Sequence, residues 1–106
     1  MKEITVKELK QKIDAKEDFD LIDVREQYEY DIANLNGILI PMNEVLANAE
    51  KMISKDKFVV VHCRSGKRSA TIINALESQF GYTNLYNLVG GILAWSDEID
   101  SSIPKY

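Results

Sequence analysis

The stretch FVVVHCRSGKRSA, Phe58 to Ala70, decides the fold. Its first half is a run of Phe and Val without polar alternation. A strand wetted on one face alternates, so an unbroken apolar run suits a strand covered on both faces, as in a parallel sheet between helices. The second half turns at Gly66, and a helix is expected to begin near Arg68 or Ser69. Ala70, Ile73, Leu76 and Phe80 then recur at helical spacing until Gly81 supplies a stop. Strand, glycine-containing turn and helix follow one another within a few residues.

Outward from this unit the same alternation continues. The segment at Ile4 predicts a short edge strand, and Thr5 with Glu8 forms a capping box that opens a helix carrying Val6, Leu9 and Ile13 on one face. FDLIDV (residues 19–24) and GILIP (37–41) are strand candidates, the second stopped by Pro41, which cannot donate to a ladder. A helix is expected from Asn43 to about Ile53, with Val45, Leu46, Ala49 and Met52 or Ile53 on its buried face. NLYNLV (84–89) predicts a last strand, and Gly90 and Gly91 precede a short helix with Ile92, Ala94 and Trp95. Strands separated by helices imply an α/β fold, a three-layer α/β/α arrangement around a mostly parallel sheet of about five strands joined by right-handed crossovers. With no repeat, low-complexity tract or Pro/Gly/Ser-rich linker, residues 1–106 are expected to form one domain.

The chain has 106 residues, 45% apolar and 28% charged, a globular balance. Its net charge of −4 argues against general affinity for nucleic acid. The first ten residues interleave charges and lack a secretory apolar core, and no stretch approaches the roughly 18 to 20 apolar residues that span a bilayer. One cysteine cannot form an intrachain disulfide. A cytoplasmic monomer without membrane attachment is the expectation.

Ligands of open α/β sheets bind beyond the carboxyl ends of the strands. That rule selects two turns, after Asp23 and after His62. Between Cys63 and Ser69 the successive amides can point inward and form an anion-binding nest at a helix N-terminus. A thiol in that field ionises more easily, and the thiolate is the nucleophile. Arg64, Lys67 and Arg68 crowd the same helix start, where cations oppose the dipole, so something anionic should offset them. Cys63 is therefore the candidate nucleophile, and Arg64, Ser65, Gly66, Lys67, Arg68 and Ser69 are the candidate substrate-binding residues. A lone cysteine ending a buried strand is otherwise a small core residue. His62, next to it, should point to the opposite face of a regular strand, as a buried strand residue and not a general base. One cysteine and one histidine cannot supply the ligands of a metal site, and neither a metal nor a cofactor is expected.

Three segments resemble the rhodanese-like sulfurtransferases, specifically the single-domain members. LIDVREQYEY (21–30) is similar to the family's first signature, VVHCRSGKRSA (60–70) to its active-site loop, and LVGGILAW (88–95) to its C-terminal signature. The resemblance implies that Cys63 attacks the outer sulfur of a donor such as thiosulfate, becomes a persulfide and passes the sulfur to a thiol or cyanide. It also implies that loop amides from Arg64 to Ser69 hold the persulfide. Asp23 and Arg25 match the first signature and are expected to support the site as an ion-paired, hydrogen-bonded couple. The stretch Ala33 to Leu39 departs from the family pattern: Asn34 stands where many members have histidine, and a loop of different shape is expected.

Two other functions compete. Phosphatases and arsenate reductases of related fold place five residues between cysteine and arginine, whereas Cys63 and Arg68 enclose four, a ring better sized to one sulfur atom than to a tetrahedral oxyanion. A non-catalytic rhodanese-like interaction module is the other. Without a second cysteine to resolve a persulfide, the acceptor must come from outside, as a small thiol or a partner-protein cysteine.

Overall fold

Residues 1–106 are all described in the computed structural model. In chain order the elements are β1 (Lys2–Ile4), α1 (Val6–Asp14), β2 (Phe19–Asp23), α2 (Gln27–Ile32), β3 (Ile38–Leu39) and a 3-10 turn (Met42–Glu44). There follow α3 (Val45–Met52), β4 (Phe58–His62), α4 (Lys67–Phe80), β5 (Leu85–Leu88) and α5 (Gly91–Glu98). The apolar run is the central strand: the sheet order is β1-β5-β4-β2-β3, and every pairing is parallel. The expected parallel five-stranded sheet is present.

Alternation along β4 separates two cores. Val59, Val61 and Cys63 pack with Ile22, Val45, Ala49, Ile72, Ile73 and Leu76 on the α3/α4 face. Val60 packs with Val6, Leu9, Leu88 and Trp95 on the α1/α5 face. The three β4 valines are fully buried, and each such burial contributes about 2 kcal/mol. Helix α1 starts where the capping box predicts: the Glu8 amide donates to Thr5 Oγ1 at 3.1 Å, and the Thr5 amide to Glu8 Oε1 at 2.9 Å.

Several local expectations are corrected. The helix expected from Asn43 starts as a 3-10 turn and becomes α-helical at Val45. Being eight residues long, it docks through the Val45–Ala49 row continued by Ile53, which leaves Leu46 and Met52 exposed. Ile13, near the end of α1, is exposed too. In α4, which starts at Lys67, the buried row is Ser69, Ile72, Ile73 and Leu76, with Ala70 and Phe80 half-buried. Helix α2 has no counterpart in the sequence reading, because six residues are too few to show an apolar stripe. The β2–β3 ladder runs one step past its strands, with the Ile40 amide donating to Asp23 O and the Met42 amide to Val24 O. Pro41 lies between those two donors and has no N–H of its own.

Candidate active site

Beyond His62 the chain leaves the sheet and turns into α4. Gly66 sits at the helix start with φ +103°, a left-handed conformation that side chains disfavour. Its amide donates to Cys63 Sγ at 3.1 Å, and Ser69 Oγ lies 3.4 Å from the sulfur. Cys63 is only 1% exposed. Burial pushes its thiol up, but the Ser69 hydroxyl and the amides of Ser69, Gly66 and Ser65 more than offset this and hold it below the ordinary value of 9.0. Hydrogen-bond donors, more than the neighbouring cations, stabilise the thiolate.

The turn is clamped from the far end of the chain. The Ile92 amide donates to Cys63 O at 3.1 Å and the Leu93 amide to Arg64 O at 3.2 Å. Gly91, at φ +58°, allows this approach: a Cβ there would stand 2.4 Å from Arg64 O. Asn87 of β5 donates from Nδ2 to Gly66 O at 3.1 Å and accepts from Ser69 Oγ at 2.6 Å. The Ser69 hydroxyl has one proton, so Asn87 and the sulfur share it in turn.

The three loop cations have different surroundings. Arg68 makes a forked pair with Glu29 of α2, at 2.7 and 2.9 Å. Arg64 is half-buried, donates to the main-chain oxygen of Tyr106 and stands 5.2 Å from that ring's centre. Lys67 is exposed and makes no ion pair. The anion that offsets Arg68 is thus part of the chain, and no Asp or Glu side chain pairs with Arg64 or Lys67.

Asp23 and Arg25 form a fully buried pair. Arg25 Nη2 donates to Asp23 Oδ2 at 2.8 Å and Nε to Asp23 Oδ1 at 3.0 Å, while Nη2 also reaches Ala33 O and Nη1 reaches Tyr106 Oη at 2.8 Å. Burial works against the Arg25 charge, but Asp23 and Tyr106 outweigh it and raise its pKa. The β2–β4 register pairs Asp23 with His62, putting His62 Nε2 3.6 Å from Asp23 Oδ2. His62 is fully buried, and its pKa is lowered chiefly by that burial. It lies on the sheet face opposite Cys63 and has no route to the sulfur as a base. Asn34 donates to Tyr30 O and lines a groove of about 500 Å³ with Leu35, Ile38, Trp95 and Ile103. None of the residues from Cys63 to Ser69 lines that groove.

Glu29, Asn87 and Tyr106 complete the site and were absent from the sequence reading. Glu29 is buried, and its carboxyl is held at about 2 instead of 4.5, first by Arg68, with further help from the Glu26 amide and the Tyr106 hydroxyl. The folded carboxyl therefore binds its proton later than the unfolded one as pH falls. The unfolded state holds more protons between pH 4.5 and 2, and folding stability declines across that window. We expect Glu29→Gln to flatten this decline, which in the parent protein amounts to something on the order of 2 kcal/mol. Urea midpoints at pH 7, 4 and 2.5 check it; equal slopes in the two proteins would show that Glu29 does not carry the acid sensitivity.

Fold and loop together define an α/β domain that holds one buried cysteine in a ring of amide and hydroxyl donors. The chain belongs to the rhodanese-like domain family, whose profile matches residues 5–98. It is 39% identical over its whole length to the Arabidopsis thaliana rhodanese-like/PpiC domain-containing protein 12, chloroplastic, of which it spans 38%. Over 81% of the chain it is 35% identical to the adenylyltransferase and sulfurtransferase UBA4 of Candida glabrata, of which it spans 22%. Among solved structures, a rhodanese-like domain protein from Staphylococcus aureus superposes with a TM-score of 0.80 and 32% identity, covering 93% of this chain and 95% of that one. The chain thus spans well under two thirds of the curated relatives and nearly all of the solved domain.

Proposed function

We propose that this chain is a sulfurtransferase that carries sulfane sulfur on Cys63, taking it from thiosulfate or a persulfide and passing it to a thiol or cyanide. The observation that carries this reading is the ring of donors around Sγ, closed over only four residues between Cys63 and Arg68. The sulfurtransferase named among its relatives supports it. In the first step the Cys63 thiolate attacks the outer sulfur of thiosulfate. A new S–S bond forms, the donor's own S–S bond breaks, and sulfite leaves with the electron pair. The amides of Ser65, Gly66 and Ser69 then face the terminal persulfide sulfur, whose negative charge they stabilise. In the second step an acceptor thiolate attacks that sulfur, the Cys63–S bond breaks, and the Cys63 thiolate returns. Arg64 and Lys67 are the groups that attract an anionic donor, while Arg68 acts through its pair with Glu29. Asp23 and Arg25 hold the β2 end against the loop as a support.

A single cysteine makes the acceptor external, and a partner-protein cysteine fits as well as a small thiol. A monomer of one domain in the reducing cytoplasm suits this chemistry. Intact-mass measurement after thiosulfate treatment tests the reading. A gain of one sulfur atom, reversed by cyanide, is expected, together with no release of phenol from an aryl phosphate. Phosphate hydrolysis without sulfur uptake would overturn it in favour of phosphatase chemistry.

A further inference from the structure

Of the cations of the cysteine loop and of the turn after β2, Arg68 is neutralised by Glu29 and Arg25 by Asp23. Lys67 points into solvent on a flexible stem. Arg64 is the half-buried guanidinium of the loop that no carboxylate side chain pairs, and its position is taken up by Tyr106. That residue donates from its hydroxyl to Glu29 Oε2 at 2.7 Å and accepts from Arg25 Nη1 at 2.8 Å. Its ring centre lies 5.2 Å from the Arg64 guanidinium carbon and 5.7 Å from that of Arg25, and its main-chain oxygen accepts from Arg64 Nη2. The segment leading to it is tied to the body through Ile103, which packs in the α1/α5 core and whose carbonyl accepts from Ser96 Oγ at 2.6 Å.

We propose that Tyr106 occupies the anion seat of the loop, so that an anionic sulfur donor binds Arg64 only by displacing it. Tyr106 thereby sets specificity: the donor must bring a charged, forked acceptor, such as the sulfonate end of thiosulfate or the carboxylate of a small-molecule persulfide, to compete for the same guanidinium. A neutral donor has no charge to exchange for the Tyr106 contacts at Arg64. The identity of the donor rests on the sulfur-transfer reading, whereas the occupancy of Arg64 does not. Tyr106 stands outside both hydrophobic cores, so its replacement leaves the packing intact.

The test uses two alkylating agents of nearly equal size, anionic iodoacetate and neutral iodoacetamide, on the full chain. Both consume the Cys63 thiolate, so the ratio of their second-order rate constants reports charge recognition and cancels thiol ionisation. Tyr106→Ala removes the ring beside Arg64 and the two hydroxyl bonds that hold the main-chain oxygen of residue 106 against it. It should raise the iodoacetate/iodoacetamide ratio about tenfold, the scale of one charge-assisted contact. Tyr106→Phe, which keeps the ring but loses both hydroxyl bonds, should fall between the parent and the Ala variant. Adding Arg64→Ala to Tyr106→Ala should return the ratio to the parent value. An unchanged ratio in Tyr106→Ala, including an equal rise in both rates, overturns the proposal, as does a rise that survives loss of Arg64. The measurement involves no sulfur donor, so it stands or fails independently of sulfur transfer.

Discussion

A Cys63→Ser protein should take up no sulfur from thiosulfate or any persulfide, and its turnover should fall by at least about 10⁴-fold. The loop lowers a thiol that already ionises near physiological pH; the same donors acting on a serine hydroxyl leave it protonated. Oxygen also lacks the capacity of sulfur to form a stable S–S link to the transferred atom. The structural cost of the exchange is small. Serine is slightly smaller than cysteine, and its oxygen can accept from the Gly66 amide that now faces the sulfur. Thermal melting of the variant should therefore stay close to the parent. Residual sulfur uptake by a cleanly folded Cys63→Ser protein would remove Cys63 from the chemistry, and with it the proposed function.

Asp23→Ala should be the most damaging single change to stability, by about 3–5 kcal/mol. It leaves the Arg25 guanidinium, fully buried, without the carboxylate that meets it at 2.8 Å. Against a typical domain stability of roughly 5–15 kcal/mol, such a loss consumes a large share. It corresponds to a fall in Tm of roughly 15–30 °C for a chain of this size. Asp23→Asn should recover only part of the loss, because its oxygen can still accept from the Arg25 amide or Nε while the charge is gone. Differential scanning calorimetry of the three proteins decides the matter. A Tm shift of a few degrees in Asp23→Ala would mean that water or main-chain oxygens such as that of Ala33 already compensate Arg25.

What the sequence disclosed follows the range over which its signals act. The β4 run, the Thr5–Glu8 box and the Gly66 turn depend on neighbours within a few positions, and the structure has all three where they were expected. The cation crowding at the start of α4 was also legible, but its resolution was not. The opposition to the helix dipole pointed to a substrate anion, whereas Glu29, 39 residues upstream, supplies the anion for Arg68. That contact arises because the β2–β4 register sets Asp23 beside His62 and so brings α2 to the loop. No periodicity within six residues encodes it. Tyr106, 81 residues from Arg25, and Asn87, 18 from Ser69, are products of the same assembly. Leu46 and Met52 show the converse: apolar residues at plausible spacing that a short helix has no surface to receive.

The clamp that α5 places on the cysteine turn bears on how this chemistry can be moved between proteins. Seven residues, Cys63 to Ser69, contain the nucleophile and its nearest donors, and they look like a portable cassette. Their carbonyls, however, are held by amides at Ile92 and Leu93, admitted by the bare backbone of Gly91, and their hydroxyl and turn are steadied by Asn87. A loop transplanted onto another strand and helix would carry the letters of the site without its shape. The smallest inheritable unit is two adjacent strands with the helix that follows each, and any recombination breakpoint between Ser69 and Leu93 separates the sulfur from its frame.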